Sequence, residues 1–167
     1  APSRGEIGTA VTPVEQSSGI GSGDSGVVSS PAIPVQDPVV ARIVELRSRD
    51  SERVRTALTS SPLTLTLVPH VLPLLAWDEV VSEAIKALRD VAQMVTGQLV
   101  DRLIDPVEEF AVRRRIPLVL AACPTERAFE GVFRGLEDKR FEVRHRCGRS
   151  LSRLHELNSD LRIDRDR

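Results

Sequence analysis

Apolar residues change their habit at residue 37. Before it, "SSGIGSGDSG" and "SSPAIPVQDP" scatter single aliphatics among Ser, Gly and Pro with no helical period. Such a stretch buries too little surface to offset its ordering entropy, so residues 1–36 read as a disordered, flexible linker. After it, apolar positions recur three and four apart in short runs separated by polar turns. Asp37-Pro38 opens the first run, an acceptor suited to an N-cap followed by the residue favoured at the first helical position. The runs predict helices in pairs: 38–48 with 51–60, 65–76 with 78–95, 97–104 with 108–122, and 125–136 with 140–157. Asp78, Thr96 and Thr125 are the predicted caps within this series. "LTLTL" (Leu63–Leu67) alternates like a strand, but it is short and runs into Pro69, so a turn entering a helix is expected.

The apolar faces match one another. Val112, Ile116, Val119, Leu120 and Cys123 fall on one side of a helix, and Val143, Cys147, Leu151 and Leu154 do the same. The leading helices carry stripes of Phe129, Val132, Phe133 and Leu136, and of Leu99 and Leu103. Val81, Val112 and Val143 recur every 31 residues, and Val54 lies 27 before Val81. Fixed spacing in this range marks stacked helical repeats. One pair cannot bury its apolar face alone, so neighbours must supply the missing wall. The four valines are therefore predicted to occupy equivalent places in successive pairs.

"LIDPVEEFAVRRRIPLVLA" and "LEDKRFEVRHRCGRSLSRL" resemble HEAT-type repeats, including those called PBS-lyase HEAT-like, with "SRDSERVRTAL" as a shorter copy. "LLAWDEVVSEAIKAL" departs from the pattern, because Ser82 stands where the usual arginine would. The resemblance covers about residues 38–157. It implies an all-α fold: an α-solenoid of about four HEAT-like antiparallel helix pairs, right-handed, in a domain spanning 37–157. It also implies, for the most part, a protein-interaction scaffold. A fainter resemblance is to HEAT tails of bacterial membrane proteins.

Composition narrows the chemistry. The chain is 41% hydrophobic, enough for a core, but only 3% aromatic, so that core must be mostly aliphatic. A net charge of −1 gives no whole-chain attraction to nucleic acid, so any such binding needs a local patch. Cys123 and Cys147 are too few for a disulfide framework or a four-cysteine zinc site, and both fall on apolar faces. His70, His145 and His155 lack metal-ligand spacing, and His145 and Cys147 point to opposite sides of one helix. His155-Glu156 is a single pair, whereas iron-binding HEAT-like hydroxylases use several. No glycine-rich phosphate loop and no Ser-His-Asp arrangement is present. No catalytic residue, cofactor or metal is expected, and the chain is read as a non-enzyme.

The arginines carry the remaining candidates. Arg55, Arg113 and Arg144 each follow an anchor valine, and Asp50, Asp105 and Asp138 lie in the turns. An arginine–aspartate ladder between stacked repeats is expected, with the arginine stems packed and the guanidinium groups reaching the turns. Arg115, Arg146, Arg149 and Arg153 fall on the other flank and form the candidate partner-binding stripe. Glu108, Glu109, Glu142 and Glu156 stand ready to neutralise it, and Ala84 interrupts it in the second pair. Pro117 is expected to bend its helix, and Trp77 to pack at the turn before Asp78.

The expected function is non-catalytic protein binding, as a scaffold or regulatory module of a larger bacterial-type protein. The partner is expected to be a protein, and nucleic acid is disfavoured. A HEAT-like enzyme of bilin-lyase type, and nucleic-acid or phosphate binding through the arginine stripe, are the alternatives. Ala1 to Val14 lacks a long apolar run and the stretch from Leu63 to Trp77 is too short to span a bilayer, so a cytoplasmic location is expected, with attachment to a membrane protein left open. The chain begins without methionine, as a fragment would, and as would a chain whose initiator methionine before Ala1 had been removed. The tail 158–167, "NSDLRIDRDR", offers no obvious apolar cap, so either it folds over the last pair or more chain follows.

Overall fold

A computed structural model describes residues 37–161. The linker reading for 1–36, and the tail beyond Leu161, lie outside the described residues. Those described are helical, without a strand, and none of their helices is long and apolar enough to cross a membrane.

Local signals set the first pair. Helix α1 (Pro38–Leu46) starts where Asp37 accepts from the Val39 N–H at 2.9 Å, with Pro38 in the first turn. Helix α2 (Ser51–Thr59) starts where Asp50 accepts from the N–H groups of Glu52 and Arg53. Glu45 and Arg53 join the two through paired contacts of 2.8 Å.

The predicted helix 65–76 is broken. Leu65–Leu67 forms a 3₁₀ turn, α3 (Val68–Val71) a single α turn, and Leu72–Ala76 a second 3₁₀ stretch. Pro69 and Pro73 each stand at the start of a new piece, because neither can donate to the turn before it. The segment is still core: Leu67, Val68, Val71, Leu72, Leu74 and Leu75 are all buried.

The two predicted helices, 78–95 and 97–104, run on as α4 (Val81–Ile104), two helical stretches that meet at a kink where Val95 leaves helical dihedrals, so the expected break is present at its expected place. Thr96 does not cap a new helix. Its hydroxyl donates back to the Ala92 carbonyl at 2.8 Å, a bond across the kink of the kind that accompanies helix bending. Nor does Asp78 cap α4. The N-cap residue is Val80, with no side-chain cap, and Asp78 is engaged elsewhere.

The predicted helix 108–122 is also divided, into α5 (Phe110–Arg113) and α6 (Ile116–Leu120), with Pro117 in the first turn of α6. Proline cannot donate to the Arg113 carbonyl, so the helix stops and restarts. Helix α7 (Glu126–Arg134) is capped by Thr125 as expected and tightens into a 3₁₀ turn, Gly135–Glu137. Helix α8 (Phe141–Leu157) follows.

Helix α1 packs on α2 and α3, α2 on α4, α4 on both α6 and α7, and α6 and α7 on α8. The α4–α7 approach is close, since a side chain at Gly131 would run into Val100. Between α6 and α8 the buried Ser150 hydroxyl donates to the Pro117 carbonyl at 2.8 Å. One aliphatic core runs from Leu46 to Leu161. Leu161 is buried, so the start of the tail does supply an apolar contact that its polar appearance hid.

Val54, Val112 and Val143 are buried, but Val81 is not their counterpart. Val80 is fully buried, while Val81 is only partly so. The inward stripe of α4 runs Val80, Ala84, Leu88, one residue earlier than the 31-residue spacing indicated. Val80→Ala is accordingly expected to cost about 2 kcal/mol in urea unfolding. Val81→Ala is expected to cost at most about 1 kcal/mol. Equal losses would contradict this register.

Candidate functional site

Short helices end often, and each end leaves carbonyls without an intrahelical partner. Arginines meet many of them. Arg42 on α1 donates to the Ala57 carbonyl at 2.9 Å, Ser61 at 2.7 Å and Pro62 at 2.9 Å, closing the end of α2. Arg89 on α4 donates twice to the Leu118 carbonyl in α6, at 3.0 and 2.9 Å. Arg113 Nε donates to the Leu103 carbonyl, in the last turn of α4, at 3.1 Å. Arg55 reaches the Glu79 carbonyl at 2.6 Å, and Arg144 turns back to the carbonyls of Asp138 and Lys139 at 2.8 and 3.0 Å.

The six repeat positions thus have different partners. Arg113 meets Asp138 side chain to side chain, with 12% and 2% of the two exposed, while the Asp138 Oδ1 also accepts the Arg140 N–H. Arg55 and Arg144 use carbonyls, although Arg55 also pairs with Glu52. Asp50 caps α2, and Asp105 accepts from the Val107 N–H. Short acidic side chains in turns find nearby N–H groups first.

Arg115 leaves the expected stripe. It donates to the Leu75 carbonyl and to Asp78, and its side chain is only 12% exposed. Its position after the end of α5 turns it inward toward the preceding 3₁₀ segment. Asp78 in turn has its carboxyl held below the usual range, first by the Arg115 hydrogen bond and then by its charge. Glu108, expected opposite the stripe, pairs with Arg102 at 2.5 Å.

Arg146, Arg149 and Arg153 remain together on the exposed flank of α8. Arg153 meets Glu156 at 3.1 Å, and no ion-pair partner for Arg146 or Arg149 lies among the described residues. The rest of "FEVRHRCGRSL" divides as its helical angles require. His145 is outside, stacked near Phe141 with centroids 5.8 Å apart. Cys147 is inside, and burial pushes its thiol up to about 12, so it is no nucleophile near neutrality. Cys123 is likewise free and buried. No group of three or more His, Cys, Asp or Glu able to hold a metal occurs among the described residues.

Sequence reasoning missed Arg42 and Arg89 as helix-end donors, because nothing local distinguishes them from solvated arginines. Protein-family models, curated proteins and solved structures were compared with the chain, and none matched.

Arg113→Ala would leave the Asp138 carboxylate buried without its cation, and is expected to cost about 3–5 kcal/mol in chemical denaturation. The paired change Arg113→Met with Asp138→Leu is expected to cost less than the single one. Asp78 gives an acid-side test. Its folded pKa lies below the unfolded value of about 3.9, so its contribution is complete above that value and is lost as pH falls through the folded one. The stability gap between the native chain and Asp78→Asn should therefore be present near neutrality and close in strong acid. A gap independent of pH would remove the Arg115 pairing as its source.

Proposed function

We propose that residues 37–157 form a short right-handed α-solenoid of four HEAT-like antiparallel helix pairs, acting as a non-catalytic protein-interaction module of a larger, bacterial-type cytoplasmic protein. The observation that carries this reading is the order of contacts. Leading elements meet leading ones, α1 with α3 and α4 with α7, while trailing elements meet in the series α2, α4, α6, α8. A bent α4 serves as the trailing member of the second pair and the leading member of the third. Packing between sequence neighbours is how a quasi-one-dimensional stack is stabilised, and such stacks present extended surfaces to partners.

The contact surface in this reading is the α8 flank with Arg146, Arg149 and Arg153. Planar guanidinium groups suit carboxylates on an acidic protein face. Withdrawal of Arg115 leaves a patch confined to one helix, which favours a protein contact over the longer phosphate track that nucleic acid needs.

The test is a charge reversal, Arg146→Glu with Arg149→Glu and Arg153→Glu, in affinity capture with quantitative mass spectrometry. The native chain should retain a partner that the variant loses while circular dichroism stays the same. Identical retention by both would exclude this surface.

A further inference from the structure

A cleft of about 550 Å³ opens where the turn after α4 faces the turn before α8. It lies apart from the exposed α8 flank and does not depend on the solenoid reading. Ile104 and Pro106 supply an apolar wall, and Arg134, Lys139 and Arg140 add cationic side chains to the lining. These three cations are exposed, and none has an ion-pair partner among the described residues. Arg140 is held in place, with its guanidinium 4.7 Å from the Phe110 ring centre and its N–H on Asp138 at 2.8 Å.

The local carboxylates do not cancel this charge. Asp138 is spent: one oxygen accepts from Arg113 and the other from the Arg140 N–H. Glu137 is the one lining carboxylate left, against three cations without an ion-pair partner among the described residues, of which Arg140 also lies over the Phe110 ring. Beside the apolar wall, Val107 is 90% exposed.

We propose that this cleft binds an acidic–apolar segment of a partner polypeptide. A carboxylate sits among Arg134, Lys139 and Arg140, and a neighbouring aliphatic side chain lies on Ile104, Pro106 and Val107. Both parts are required. Exposed ion pairs alone are screened and weak, and an apolar wall of this size alone does not select.

The probe is a fluorescein-labelled Glu-Leu-Glu-Leu-Glu peptide, measured by fluorescence anisotropy against the full chain. Its counterpart with glutamine in place of every glutamate is measured in parallel. Arg134→Glu with Lys139→Glu should weaken binding about tenfold or more, from reversing two charges at the rim. Arg49→Glu, at an exposed position between α1 and α2, should leave it unchanged, and the glutamine peptide should not bind. If the double reversal unfolds the chain, Arg134→Gln with Lys139→Gln is held to the same direction of change. No binding by the native chain, equal binding of the glutamine peptide, or equal loss with Arg49→Glu would each overturn the assignment.

Discussion

Carbonyls at the ends of many short helices are the constraint on which this structure depends. The described chain breaks its helices repeatedly, at Pro69, Pro73 and Pro117 and in the turns between them. Each break frees acceptors, and one left buried and unsatisfied costs about 1–3 kcal/mol. Arg42, Arg89, Arg113 and Arg115 meet them from neighbouring elements, while Arg55 and Arg144 meet carbonyls of the turns before α4 and α8. The chemistry favours arginine. Its fork holds several donors in fixed geometry, so one side chain can serve two or three carbonyls, as Arg42 does. Lysine occurs only at Lys86 and Lys139, a bias that fits this use.

The same reach separates structural arginines from exposed ones. Arg113 and Arg115 are close in sequence and both are largely withdrawn, one against Asp138 and Leu103, the other against Leu75 and Asp78. On α8 neither Arg146 nor Arg149 has a hydrogen-bond or ion-pair partner among the described residues, and their charge stays at the surface. At the turn before α8, Asp138 is used up by internal contacts, so Arg134, Lys139 and Arg140 keep theirs. Surface charge here is what remains after the internal acceptors have been met.

Much of the helical plan was legible. Asp37-Pro38 and Thr125 mark real starts because their partners lie within three residues. The stripes through Val112 and Val143 face the core because a 3.6-residue period leaves an apolar face no other direction. Thr96 and Asp78 misled because the same oxygen can cap a helix, bond back within one or meet a distant cation, and neighbours choose among these. Val81 misled because adjacent valines are equivalent to a spacing argument, and one residue turns a helix by about 100°.

By itself, the sequence determined that residues 38–157 fold into helices joined by turns, which face of most of them turns inward, and that both cysteines are buried, since these follow from local period and side-chain type. Tertiary structure alone decided where each arginine points, that the inward valine before α4 is Val80 and not Val81, and that Leu161 packs into the core. The physical reason is range. A guanidinium on a long, flexible stem selects its acceptor from whatever packing brings near, and for Arg89 and Arg115 those acceptors lie 29 and 37–40 residues away.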